Sequence, residues 1–302
     1  MDKILAHKNL RFLFFAMFAL LITCYMLFRT YVSNVPAGLA WSELLDKFVI
    51  SLTTTVFLAI FLHFATPKDS PQKETVGSLS ANEINDFLIN ASKISNSWYF
   101  KGSTASFVRT SVMPTFASRC ATDRQKRYIE VLILNPDNTD ICAAYARYKT
   151  DTSGTLNPTT WTTEDVRAQL LCTIYKSIYF RSIWLTIDVV LLNGFSVLRT
   201  DMSDGAAILT KEDKSAPAIR FDRNSPFYNF YQSDIALCEV QGRKLNTASQ
   251  ILGSCPSPEE ATAEFLNRLV ALCDFKNPDT ASQAVLVKTL SLLKNDKKPY
   301  GK

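Results

Sequence analysis

Histidine is nearly missing from this chain, which carries two, His7 and His63, among 302 residues. A Ser-His or Cys-His nucleophile pair needs an imidazole beside the nucleophile, and everything beyond residue 63 has none to offer. Closely spaced cysteines are missing too. The seven cysteines, at 24, 120, 142, 172, 238, 255 and 273, form no CxxC, and with so little histidine they make no zinc signature. An odd, scattered set embedded in apolar patterns fits reduced core thiols better than a secreted disulfide framework. Nine glycines form neither GxGxxG nor GxxxxGK[ST], which leaves no dinucleotide fingerprint and no P-loop. Charge of one sign is never concentrated: 33 basic against 28 acidic residues give +5, without a run long enough for a nucleic-acid arm. No catalytic residue, no metal ligand and no cofactor is assigned on this basis. Paired carboxylates such as Glu164 with Asp165, or Asp201 with Asp204, read as helix starts and turns.

Apolar residues are plentiful, at 47% of the chain. Two long runs, LRFLFFAMFALLITCYMLF from Leu10 to Phe28 and FVISLTTTVFLAIFLHFAT from Phe48 to Thr66, each approach the roughly 20 residues that cross a bilayer. They predict transmembrane helices over about 10–30 and 47–66 within a hairpin of residues 1–67, followed by a polar linker, 68–79, and a domain over 80–302. Lys3, Lys8 and Arg11 at the N-terminal side of the first run, with Lys68 and Lys73 after the second, place both termini in the cytoplasm of a multi-pass inner-membrane protein. The lipid bilayer is thus one expected partner. Ser51, Thr55 and Ala59 recur every four residues, a small-xxx-small stripe for close helix packing, either within the hairpin or in a homo-oligomer.

The remaining residues read as one cytosolic α/β domain with a mixed sheet. Ser80 with Glu83 makes a capping box ahead of an amphipathic helix. Trp98 to Phe100 form a short strand, Thr104 to Arg119 a helix, and YIEVLIL, 128–134, a strand apolar at nearly every position, as suits a doubly covered one. A helix follows from Thr139 or Asp140, and TTEDVRAQLLCTIYKSIYFRS, 162–182, makes a long one with acids in its first turn, its apolar stripe being Val166, Leu170, Leu171, Ile174 and Ile178. Three β-rich runs separated at Asn193-Gly194 and Asp204-Gly205 predict an antiparallel meander. Helices over 225–241, 258–275 and 280–293 close the chain.

The stretch WYFKGSTASFVRTSVMP, 98–114, holds the one binding feature the pattern suggests. Its turn sets Lys101 and the amides around Ser103 at a helix start, where unpaired N–H groups and the helix dipole favour an anion. Arg109, and Arg199 from the meander, would add charge if they converge. The plainer reading is that Ser103 or Thr104 caps the helix and Gly102 relaxes the turn.

The order WYFKGST, Arg109 and Pro114, IEVLILNPD, YARYK, WTxEDVR and FSVLRTDMSDGAAILT resembles the phospholipase D-like domains of bacterial proteins. In active members the last strands carry H-x-K-x4-D, where His attacks a phosphodiester and Lys steadies the phosphate. Here Arg199, Asp201, Asp204 and Lys211 occupy that segment, and the resemblance therefore implies a degenerate, non-catalytic domain. The layout of two helices ahead of such a domain resembles the two-helix effectors of bacterial anti-phage defence, particularly retron systems. That resemblance implies a membrane-perturbing toxin restrained through its cytosolic domain by a regulatory partner. The partner would be a reverse transcriptase with its RNA–DNA hybrid, or a small nucleotide signal. The alternatives are a membrane-anchored phosphodiester-acting enzyme, built on a cluster of Lys101, Arg109, Arg199, Asp201 and Lys211, and a membrane scaffold.

Overall fold

The computed structural model describes residues 76–152, 160–211, 213, 215–245 and 255–296, with single positions 23, 25, 27, 29, 30, 46, 47, 49, 51, 54 and 55 before them. The chain divides into two compact units, Met1–Ser70 and Pro71–Lys302. In the first unit the described positions are helical, and Arg29 Nη2 lies 3.2 Å from Asp46 Oδ2. A bilayer crossing needs about 20 consecutive apolar helical residues. Among the described residues no helix is long and apolar enough to cross a membrane, which overturns the expected transmembrane hairpin and with it the inner-membrane placement. The two apolar runs lie largely outside the described residues. Of the small-residue stripe, Ser51 and Thr55 are exposed on a helix, and the Thr55 hydroxyl donates to the Ser51 carbonyl at 2.8 Å; Ala59 lies outside the described residues.

The second unit is α/β, as the residue patterns predict, and is built on one mixed eight-stranded sheet. Its strands are β1 Val76–Leu79, β2 Ser97–Lys101, β3 Arg127–Leu134, β4 Leu185–Leu192, β5 Leu198–Ser203, β6 Ala206–Lys211, β7 Ala218–Asp222 and β8 Arg243–Lys244. They lie in the order β1-β7-β6-β5-β2-β3-β4-β8. Only the β2–β3 and β3–β4 pairs are parallel; the other neighbours run antiparallel. β3 sits inside the sheet, and alternation sends Ile129, Val131 and Ile133 to one core and Leu132 to the other, which explains its nearly unbroken apolar sequence.

The helices are α1 Ala81–Ile94, α2 Met113–Asp123, α3 Thr139–Thr152, α4 Thr163–Tyr179, α5 Pro226–Gln241, α6 Ala263–Leu272 and α7 Gln283–Lys294. Two begin with reciprocal capping boxes. In α1 the Ser80 amide and hydroxyl donate to Glu83 Oε2 at 2.9 and 2.6 Å, and in α4 the Thr162 amide and hydroxyl donate to Asp165 Oδ2 at 2.9 and 2.8 Å. All of these helices except α5 contribute to the core that contains Trp98, Phe100 and Ile129. α5 alone brings Tyr228 and Ile235 onto the other face, against Leu132, Val190, Met202 and Leu209.

The expected meander is only partly present. Asp204-Gly205 does join the antiparallel hairpin β5–β6, whereas Asn193-Gly194 joins strands that are not neighbours, since β4 pairs with β3 in parallel. The expected linker, 68–79, contains β1, which borders β7. The expected helix over 258–275 is a short 3-10 turn, Pro258–Glu260, followed by α6.

Candidate anion-binding site

The β2 strand ends at Lys101, and the chain then passes through Gly102, Ser103 and Thr104 to Ala105, whose φ of 54° is left-handed although it carries a side chain. Helical backbone starts at Ser106, widens into a π turn over Val108–Val112, and continues as α2. The Ser103 hydroxyl donates to Tyr145 Oη on α3 at 2.7 Å. Gly102 is required by close approach, because a Cβ there would meet Phe100 Cζ at 2.6 Å and Arg199 Cγ at 2.9 Å.

The four expected anion-binding residues do not gather. Lys101 lies on the α5 side of the sheet, and its ammonium pairs with Asp234 at 2.6 Å. Arg199 lies on the opposite side, donating from Nε to Thr210 Oγ1 at 2.9 Å and facing Asp201 at 3.7 Å. Strand alternation enforces this division, since Lys101 is paired with Thr200, between Arg199 and Asp201. Lys211 ends β6 exposed. A phosphodiester-cleaving cluster of Lys101, Arg109, Arg199, Asp201 and Lys211 is therefore not assembled.

Arg109 makes a site of its own. Its side chain is buried, and the π turn directs it at α4 and at the residues following α7. Nε donates to Asp296 Oδ2 at 2.9 Å and Nη2 to Asp296 Oδ1 at 3.2 Å, a fork-to-carboxylate pair. Nη1 donates to Thr173 Oγ1 at 3.0 Å and to the carbonyls of Thr104 and Gln169, both at 3.3 Å, and Nη2 also meets Gln169 Oε1. Lys176 Nζ reaches the same Asp296 Oδ2 at 2.8 Å. Burial on its own would raise the Asp296 carboxyl, but the hydrogen bonds and charges of Arg109 and Lys176 outweigh it and hold that group below the usual carboxylate range. The Cys172 thiol beside them is pushed by burial up to about 11 and stays neutral. Two cations thus converge on one carboxylate, and the cluster has one positive charge in surplus.

A cleft of about 360 Å3 opens next to this cluster, lined by Trp161, Asp165, Ala168, Gln169, Lys288 and Leu292 among others. Gln169 is shared: it forms part of the cleft wall and accepts from Arg109 behind it. Lys288 Nζ pairs with Asp165 at 2.6 Å on the rim, and the Trp161 ring carries the Lys149 ammonium 5.8 Å from its centroid. The cleft thus has an indole, an apolar wall and a Lys288–Asp165 ion pair among its lining.

Sequence reasoning found Arg109 but missed Lys176, Gln169, Thr173 and Asp296. A signal was present in α4, where Gln169, Thr173 and Lys176 recur at helical spacing as a polar stripe on a helix whose other positions are almost all buried. No comparable pattern marks Asp296. Nothing among the described residues shows a catalytic activity, and no group of three His, Cys, Asp or Glu side chains there is arranged to hold a metal ion.

No family model and no curated protein matches the chain. Among solved structures it is similar to TrmBL2, an archaeal chromatin protein described as showing a novel mode of DNA binding. The identity is 8%, the TM-score is 0.33, and the match covers 68% of this chain and 67% of that one. A likeness at that score carries no argument about fold or function.

Proposed function

We propose that the Pro71–Lys302 unit is a regulatory ligand-binding module and not an enzyme, and that it takes a small nucleotide-type signal in the cleft between α4 and α7. The observation that carries this reading is the cleft itself, with Trp161 and Lys288 at its mouth and the buried Arg109 cluster behind Gln169. Its volume lies in the range of small-molecule sites, and Trp161, Ala168 and Leu292 give it an apolar surface beside the polar side chains of Thr160, Asp165, Gln169, Lys288 and Ser291. That size suits a mononucleotide and not a duplex, so a small signal is favoured over a reverse transcriptase carrying an RNA–DNA hybrid. Dispersal of the polar residues that phosphodiester chemistry would need supports binding over turnover.

The membrane-perturbing step is no part of this proposal. Equilibrium dialysis of the full chain against adenosine and guanosine monophosphates tests it. The expected result is saturable binding of one nucleotide per chain, weakened at least tenfold by Trp161→Ala. Absence of retained nucleotide would sink the reading, and turnover of a phosphodiester substrate abolished by Lys101→Ala would replace it with the enzyme reading.

A further inference from the structure

We infer that the Arg109–Lys176 pair is a phosphate site, and that in this structure the Asp296 carboxylate occupies it as an internal stand-in for the phosphate group. The inference deepens the nucleotide reading, on which it rests, by stating where the phosphate goes and what holds the site closed.

Three observations meet at this point. The first is the donor geometry. One oxygen, Asp296 Oδ2, accepts from Arg109 Nε at 2.9 Å and from Lys176 Nζ at 2.8 Å, while Oδ1 takes a second guanidinium N–H at 3.2 Å. A guanidinium fork joined by an ammonium is a donor set that also matches two or three phosphate oxygens. The Thr173 hydroxyl lies beside it, bonded to Arg109 Nη1 at 3.0 Å.

The second is the charge balance. A carboxylate neutralises one of the two cations. The side chains of Arg109, Lys176 and Asp296 are 2%, 11% and 6% exposed, so water can screen the surplus charge only weakly. A phosphate monoester carries between one and a half and two negative charges near neutral pH, roughly what the site lacks.

The third is the tether. α7 ends at Lys294, and its C-cap, Asn295, has left helical geometry at φ −129° and ψ 36°. Asp296 follows as a non-helical residue, so its side chain can leave the site through rotation of two backbone positions, with every turn of α7 intact. Ser291 and Leu292, one turn earlier on α7, line the cleft. Asn295 and Asp296 therefore lie within about one turn of the cleft lining.

A nucleotide would enter with its base against Trp161 and its phosphate displacing Asp296 from Arg109 and Lys176. No covalent step is involved: one anion replaces another on the same donors. Asp296 then acts as an autoinhibitory contact, and ligand binding is read out as release of the Asp296 side chain.

The test uses the full chain, its Asp296→Asn variant, and that variant combined with Lys176→Met. Each is titrated calorimetrically with inorganic phosphate, and with acetate at equal ionic strength, at pH 7.5. The asparagine variant should bind phosphate at least tenfold more tightly than the unaltered chain, with a smaller gain for acetate, whose single charge leaves one cation uncompensated, and Lys176→Met should abolish the gain for phosphate. Phosphate affinity unchanged by Asp296→Asn, or a gain that survives Lys176→Met, overturns the inference. Should the variant fail to fold, hydrogen exchange of the unaltered chain decides. Saturating phosphate must speed exchange at Asn295 and Asp296, and unchanged exchange overturns the inference. Nucleotide binding without any of these phosphate effects would leave the cleft reading standing and remove only the internal ligand. Loss of both would remove both.

Discussion

Three residues carry most of the physical argument, and each makes a separate prediction. Arg109 holds Asp296, Gln169 and Thr173 together in a buried network. Removing one member of such a buried pair leaves the other charge uncompensated, so Arg109→Ala should cost about 3–5 kcal/mol in urea unfolding. Arg109→Lys should recover part of this but not the fork. Gly102 is packed against Phe100 and Arg199, and Gly102→Ala should cost about 1–3 kcal/mol through overpacking. Asp201 is buried without a well-formed hydrogen bond to either carboxylate oxygen, and burial pushes its carboxyl up to about 6 against the opposing pull of Arg199 and, more weakly, of the Trp98 indole N–H. Between the ordinary 3.8 and about 6 the folded chain keeps a proton that the unfolded chain has released, so this group makes stability fall as pH rises through that window. Asp201→Asn should therefore raise stability at pH 7.5 by on the order of 2 kcal/mol, with the gain shrinking toward pH 4. Thermal unfolding across that range checks both the size and the sign.

Elements were legible where their signal is local. The capping box at Ser80, the acidic first turn of α4, the apolar β3 and the Asp204-Gly205 hairpin all form as the residue pattern predicts. Thr162→Ala should cost about 1 kcal/mol and loosen the first turn of α4, measurable as faster hydrogen exchange at Glu164 and Asp165. What was not legible depends on pairing between distant segments. Asn193-Gly194 looks like a hairpin turn, but β5 finds β2 and not β4, and no local residue encodes that choice. β1, β7 and β8 are short and weakly patterned, and β1 and β8 lie at the sheet edges. The candidate site follows the same rule. Arg109 stands out beside the KGST turn, yet its partners come from α4 and from beyond α7, more than 60 residues away for Thr173 and 187 for Asp296. Lys101 and Arg199 fell on opposite faces because a shift of one residue along a strand reverses the side chain, a fact that depends on register.

At the scale of the whole chain, the core of the Pro71–Lys302 unit is built from its own helices and sheet. A chain starting at Pro71 should accordingly unfold in a single cooperative transition, with the full chain's Asp201-dependent pH profile, as calorimetry would show. The unit combines a sheet covered by one helix on one face and by several on the other with a cleft on the crowded side, next to two buried cations. That placement makes α4 and α7 the elements through which binding would be felt. The central claim is that this cleft binds a nucleotide with its phosphate held by Arg109 and Lys176. Calorimetric titration of the full chain with adenosine monophosphate, alongside Lys176→Met, tests it most directly. The account predicts saturable binding in the unaltered chain and at least a tenfold loss in Lys176→Met. Equal binding in both, or none in either, would contradict it.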